Sequence, residues 1–283
     1  MRVLITGANG QLGCELRRVF ASETVILKDL PDFDLTGSGV EEDVAGARPE
    51  LIIHAGAYTD VDGAEREPNR AMAINALGTA QVARAAARIG ARLLYISTDY
   101  VFPGTQRHPY NEDDVPAPIN AYGLSKWRGE QAVAESGGDA LIIRTAWLYG
   151  LMGKNFVKSI MRAAQTQSSL RVVDDQRGSP TSVEDLAAVI KATAAGSVQG
   201  ILHVTNRGDC TWYEFARAIL EEMNLEIPVV PISTAEAGRL ARRPPYSVLG
   251  LQRLAGLGLV PRDWREALNQ FVKAERELVS VHP

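Results

Sequence analysis

Cysteine is nearly absent from this 283-residue chain: Cys14 and Cys210 are its only two, and they lie far apart. Two such residues make neither a disulfide framework nor a zinc-ligand spacing, which suits a reducing compartment. An excess of basic charge is also missing. The 30 Lys+Arg stand against 34 Asp+Glu, a formal net charge of −4, so nucleic acid is not an expected ligand. Any anion must be held by local devices. Apolar runs such as Leu51-Ile52-Ile53 fall far short of the ~20 residues a membrane span needs. The opening MRVLITG reads as a strand entering a glycine turn and has none of the three parts of a signal peptide. The expectation is a cytoplasmic protein with no membrane and no nucleic-acid partner. Fixed-period repeats and low-complexity segments are not found either.

The composition that remains, 46% hydrophobic and 23% charged, is globular, and the length suggests one large domain with a smaller appendage. Short β-branched runs predict strands at Val3–Ile5, Thr24–Leu27, Leu51–Ile53, Leu93–Ile96 and Ala140–Ile143. Helical periodicity lies between them at Gln11–Ala21, Arg70–Ile89 and Tyr122–Glu135, with Gly90 as a fitting stop. This alternation predicts an α/β fold, a doubly wound parallel Rossmann sheet with helices on both faces. Beyond residue 146 the rhythm changes. Helices are expected at Phe156–Gln165, Val183–Ala194, Trp212–Met223 and Trp264–Glu277, and short strands near Leu170–Val173 and Leu202–Val204. The expected organisation is a dinucleotide-binding domain over 1–146, rejoined by the chain around 178–204. A substrate lobe is expected from 147–177 and 205–283.

Gly7-Ala8-Asn9-Gly10-Gln11-Leu12-Gly13 has the spacing GxxGxxG between a strand and a helix. Gly7 permits the tight turn, Gly10 lets a pyrophosphate approach the backbone, and Gly13 allows close helix–strand packing. The helix N-terminus then offers free N–H groups to the phosphates. Asp29 follows the second strand, sixteen residues beyond Gly13. It could accept from the adenine ribose hydroxyls, favouring NADH, or be a solvated loop acid; Lys28 beside it softens the discrimination.

Tyr122 and Lys126 form YxxxK, and four residues apart on a helix they share a face. A phenol donates its proton poorly at neutral pH unless a neighbouring cation stabilises its anion, which the lysine could do. The motif alone also describes an amphipathic helix with a solvated lysine. Thr98 sits at the end of the fourth strand, 24 residues before Tyr122, where α/β ligands bind. Its hydroxyl could polarise a carbonyl or simply serve a local turn.

The glycine motif, Ser97-Thr98-Asp99-Tyr100-Val101-Phe102 and Tyr122-Gly123-Leu124-Ser125-Lys126 together resemble the extended short-chain dehydrogenase/reductase family. Within it the chain looks like the branch that reduces a keto group on a nucleotide-linked deoxysugar. Further matching stretches are residues 55–62, 144–150, 175–181 and 241–244, so the likeness spans nearly the whole chain. The resemblance implies NADH or NADPH as cofactor and Thr98, Tyr122 and Lys126 as the catalytic set. It places Gly10, Gln11, Leu12, Asp29, Asp34, Leu35, Gly56, Ala57 and Tyr58 around the dinucleotide. Thr98, Asp99 and Trp147 would meet the substrate, and Arg242 and Arg243 would clamp its diphosphate or form an exposed basic loop. Trp147 reads equally as core. Asn75 reads as a member of the catalytic set or as a helix-packing residue.

Two departures stand out. The family writes NAA after the third strand, where this chain has His54-Ala55-Gly56; His54 reads as a strand-end substitution rather than an acid or base. Relatives carry magnesium at a homodimer contact built from glutamates, and Glu15 is the one ligand identifiable here. Dehydratases of the superfamily carry Asp-Glu after the threonine, whereas Asp99 is followed by Tyr100, which disfavours elimination. Epimerases share the Tyr–Lys core and stay open. So does a non-catalytic role like that of the β subunit of methionine adenosyltransferase, against which the retained Thr98, Tyr122 and Lys126 argue.

Overall fold

A computed structural model describes residues 1–281. Five strands, β1 (Arg2–Thr6), β2 (Thr24–Lys28), β3 (Leu51–His54), β4 (Arg92–Thr98) and β5 (Ala140–Thr145), occupy the expected runs. The short pieces β6 (Leu148–Tyr149), β7 (Leu170–Val173), β8 (Arg177–Gly178) and β9 (Thr181–Ser182) follow, then β10 (Gly200–His203), β11 (Cys210–Thr211) and β12 (Val229–Ile232). The main sheet has the order β10-β5-β4-β3-β1-β2 and is parallel throughout. From β1 the chain runs outward to β2, then crosses back to β3 on the other side. That reversal opens a crevice beyond the carboxyl ends of β1 and β3.

The helices in the first half are α1 (Gln11–Val19), α2 (Val40–Gly46), α3 (Val61–Arg66), α4 (Pro68–Met72), α5 (Thr79–Ile89) and α6 (Ala121–Glu135). The second half adds α7 (Phe156–Ala163), α8 (Val183–Ala194), α9 (Trp212–Met223), α10 (Thr234–Ala237), α11 (Gln252–Gly256) and α12 (Trp264–Val281). Val3, Ile5, Leu51, Ile53, Leu94 and Ile96 pack on one side of the sheet against Leu12 and Leu16 of α1 and Leu186 and Ile190 of α8. Their neighbours Leu4, Ile52, Leu93 and Tyr95 pack on the other, against Val44, Val82, Ala83 and Ala86. The central strands carry continuous apolar runs, Val3-Leu4-Ile5 and Leu51-Ile52-Ile53 among them, because both faces are covered. His203 of β10 lies opposite Arg144 of β5, so the chain returns to the main sheet after β9.

A second core gathers Val157, Ile160, Leu170, Phe215, Ile219, Leu268 and Phe271 from α7, β7, α9 and α12. The helix expected over Arg70–Ile89 is interrupted. It starts at Pro68, suited to a first helical turn, and passes through a π-helical segment over Ala73–Gly78 before α5. That segment buries Asn75 and leaves Leu77 exposed.

Candidate active site

The cofactor side is made by backbone. Gly7 has φ +66, and a Cβ there would stand 2.6 Å from the Gly56 nitrogen. A Cβ on Gly13 would lie 2.1 Å from the Gly7 carbonyl oxygen, so α1 starts pressed against the turn. Gly10 caps α1 without a side-chain bond. Gly7, Gly10, Gln11, Leu12, Gly13, Asp29, Gly56 and Ala57 line a cleft of about 700 Å³ that also reaches Thr98, Asp99, Tyr122, Lys126 and Trp147. A side cavity of about 180 Å³ brings together Asp29, Asp34, Leu35, Gly56, Ala57, Tyr58 and Arg70. Asp29 accepts from the backbone N–H of Asn9 (2.7 Å) and of Leu30 (2.8 Å). Lys28 is drawn off to Asp43 at 2.6 Å.

Beneath this wall His54 is fully buried. Its Nδ1 lies 2.6 Å from the Thr6 hydroxyl and its Nε2 3.0 Å from the Thr79 hydroxyl. The Thr6 oxygen in turn accepts from the Gly56 N–H. Burial, reinforced by the Lys126 ammonium, lowers its pKa to about 3. A neutral imidazole therefore props the Gly56 turn from inside. Asn75 does similar work: its amide exchanges bonds with both backbone groups of Tyr58 and donates to Ser125 Oγ at 2.9 Å. It ties the β3 loop to α6.

Tyr122 and Lys126 stand on α6, whose first turn is capped by Asn120. A Cβ on Gly123 would sit 2.1 Å from the Tyr100 carbonyl oxygen, so glycine lets α6 start against the turn that carries Thr98. Burial raises the pKa of the Tyr122 phenol to about 12, and the Thr98 hydroxyl on the same cleft opposes that rise. Lys126 is buried, donates to the Ile96 carbonyl at 2.7 Å and rests 4.2 Å over the Tyr95 ring. Desolvation lowers it to about 7, with Glu130 acting in the opposite sense. Glu130 cannot pair with it closely, because Arg144 (2.7 Å) and Ser97 (2.5 Å) hold that carboxylate.

The wall opposite the glycine turn is assembled from distant segments. Trp147 has φ +47, lies over Gly178 and stacks on Trp212 with centroids 3.5 Å apart. Trp212 also walls a second cleft of about 820 Å³, with Asp62, Arg66, Arg171, Arg239 and Arg243. Arg243 grips Asp62 through both nitrogens (3.1 and 3.0 Å). Arg242 is exposed and lines neither cleft; its carbonyl accepts from Asn120. Asp99 is buried, with both carboxylate oxygens already accepting from protein hydroxyls, Thr98 at 2.9 Å and Ser247 at 2.5 Å. Trp212 and Ser247 carry no sequence signal of a site beyond their residue types, and Asp62 lies in the matching stretch 55–62 without a role assigned to it. Glu15 is bound to Arg18, and among the described residues no group of three His, Cys, Asp or Glu could hold a metal. No helix among them is long and apolar enough to cross a membrane.

A glycine-cradled crevice in a parallel α/β sheet, with a half-buried Tyr and a buried Lys one helical turn apart facing it, defines the class: an extended short-chain dehydrogenase/reductase. The chain belongs to the RmlD substrate binding domain family, which it matches over residues 1–277. It is 41% identical to a dTDP-4-dehydrorhamnose reductase of Mycobacterium tuberculosis, across 99% of this chain and 95% of that one. It is 43% identical to a probable dTDP-4,6-dihydroxy-2-methyloxan-3-one 4-ketoreductase of Streptomyces antibioticus, across 95% and 94%. A crystal structure of dTDP-4-dehydrorhamnose reductase from Bacillus anthracis in complex with NADP superposes with a TM-score of 0.93. That structure is 44% identical and is matched over 96% of this chain and 99% of its own.

Proposed function

We propose that the chain is an NAD(P)H-dependent oxidoreductase that reduces dTDP-4-dehydro-L-rhamnose to dTDP-L-rhamnose, a step in nucleotide-sugar synthesis. One observation carries the reading: the Tyr122 phenol, Lys126 one turn later and Thr98 all line the cleft that the glycine turn floors. The turn fits a dinucleotide, since Gly7 and Gly13 leave no room for a Cβ and Gly10 exposes a helix N-terminus. When bound, the reduced nicotinamide supplies the hydride that reaches the sugar C4 carbonyl carbon.

The chain's own residues manage the proton and the alignment. A phenol with a pKa near 12 is protonated at neutral pH and donates to the C4 oxygen as charge develops there. Lys126 supplies positive charge behind the phenolate that results, and Thr98 aligns the phenol with the ketone. Trp147 and Trp212 offer a flat apolar wall to the sugar. Arg243, with Arg171 and Arg239 on the same cleft, suits the diphosphate. Either cofactor fits: Asp29 offers an acceptor to a ribose hydroxyl, and Arg70, which lines the same side cavity, offers a cation to a 2′-phosphate.

The test follows NADPH or NADH absorbance after adding dTDP-4-dehydro-L-rhamnose to the protein. Absorbance should fall with wild type. Tyr122→Phe should bind cofactor normally while kcat drops by about three orders of magnitude. Near-normal turnover in that variant would remove Tyr122 from its role. Consumption of a different keto-sugar only, such as the methyloxanone named for the Streptomyces relative, would redirect the substrate assignment.

A further inference from the structure

Thr98, Asp99 and Ser247 form a buried chain of hydroxyl, carboxylate and hydroxyl, with exposures of 6%, 2% and 2%. Thr98 Oγ1 donates to one oxygen of Asp99 at 2.9 Å, and Ser247 Oγ donates to the other at 2.5 Å. A hydroxyl has a single proton and an ionised carboxylate only accepts. With its proton committed to Asp99, Thr98 turns lone pairs toward its other neighbours. One is the Tyr100 N–H, at 3.2 Å, and the Tyr122 phenol lines the same cleft as Thr98. The direction in which Thr98 presents itself to the phenol is therefore set by Asp99.

Ser247 lies 148 residues from Asp99 in sequence. Its own N–H donates to the Arg177 carbonyl at 2.9 Å, and the Arg177 N–H donates to the Pro245 carbonyl at 2.9 Å. The Arg177 guanidinium is anchored to Asp209 and Glu214 on the α9 side. The serine thus stands on a rung of the C-terminal lobe and reaches into the turn that follows β4.

We propose that Ser247 is a positioning residue for reduction: its hydroxyl clamps ionised Asp99, which orients Thr98 and, through it, the Tyr122 phenol. The inference rests on the reading of Thr98 and Tyr122 as the reducing pair. It also makes the geometry of that pair depend on the lobe being docked, since the clamp spans the two.

Burial pushes the Asp99 carboxyl up to about 6, and the hydroxyls of Ser247 and Thr98 both oppose that rise. The titratable groups that feel its charge are the phenols of Tyr122 on α6 and of Tyr100 on its own turn. Arg243 and Asp62 act on Tyr100 from farther out. If the ionised form is the competent one, activity falls as pH drops through about 6. Removing the Ser247 hydroxyl raises that midpoint, because a bond favouring the anion is gone.

The experiment measures kcat and KM against pH for wild type, Ser247→Ala and Ser247→Thr. It also follows the carboxyl titration of the cofactor-free protein by difference infrared spectroscopy, with Asp99→Asn identifying the band. Ser247→Ala should lose about tenfold in kcat at neutral pH. Its acid limb and its infrared midpoint should both move up by about one pH unit, with NADPH affinity unchanged. Ser247→Thr should restore both. Ser247→Cys, similar in size and a weaker donor, should fall between and serves if the alanine variant does not fold. A loss of kcat with limb and midpoint unmoved would mean ordinary packing and would overturn the proposal; so would an acid limb surviving in Asp99→Asn. A wild-type protein inert toward every keto-sugar would instead sink the reductase reading, while the infrared midpoints would still decide whether Ser247 clamps Asp99.

Discussion

The proposed cofactor wall and the proposed substrate wall of the cleft are built in contrasting ways. From β1 to Tyr58 this wall is one continuous βαβαβ stretch, and what it offers is mostly backbone: close turns, a bare helix end, and carbonyls that tolerate no Cβ nearby. The substrate wall joins Thr98 and Asp99 to Asp62, Trp147, Trp212, Arg243 and Ser247, and what it offers is side chains. Backbone binding leaves a spacing of glycines that can be read along the chain. Side-chain binding from scattered loops leaves only common residue types at unrelated positions.

Three changes put this contrast to the test. The largest effect is expected for Gly13→Ala, whose Cβ would meet the Gly7 oxygen at 2.1 Å and the Ala8 backbone at 2.7 Å. The turn cannot yield without opening, so NADPH affinity should fall on the order of a hundredfold, read from quenching of tryptophan fluorescence. Wild-type affinity would show that the turn is looser than a backbone device should be. Next is Arg243→Ala on the opposite wall. It should raise KM for the nucleotide sugar about thirtyfold and leave cofactor affinity alone. An equal effect on both ligands would erase the division between the walls.

The smallest effect concerns the prop under the cofactor wall. His54 has a folded pKa of about 3 against 6.5 for a free imidazole, so the unfolded chain takes up its proton first as pH falls. The stabilising contribution is complete above 6.5 and is lost progressively down through 3. At pH 5.5 the loss is roughly 1.4 kcal/mol for such a histidine. His203, displaced in the same direction and also to about 3, adds its own share. Urea midpoints between pH 7 and 5 should therefore fall less steeply in His54→Asn than in wild type, without becoming flat. An unchanged slope would mean that His54 takes up its proton equally in the folded and unfolded protein.

The main sheet was legible because a strand covered on both faces must be apolar at every position, as Val3-Leu4-Ile5 and Leu51-Ile52-Ile53 are. Less visible was β12, where Pro228 and Pro231 argue against a strand; it exists because it pairs on one side only, with β7. The π-helical segment over Ala73–Gly78 was hidden within a good helical pattern, since an extra residue in a turn leaves the composition unchanged. At the site, Tyr122, Lys126 and Thr98 could be singled out by spacing. The two readings of Asn75 needed coordinates: its amide is fully engaged in holding Tyr58 and Ser125. His54 could be recognised as unusual, but not as the support of Gly56.

Taken alone, the order of residues determined which segments become strands, where a backbone can approach a phosphate, and which phenol and ammonium share a helix face. Those are consequences of steric limits and of periods of two and 3.6, all local to a few residues. Tertiary structure decided the protonation of the site and who stands beside whom. Lys126 and Tyr122 are shifted by burial, Asp99 is claimed by two hydroxyls, and Arg243 is aimed by Asp62. Desolvation and hydrogen bonding depend on distances between groups remote in sequence, and those exist only once the chain has packed.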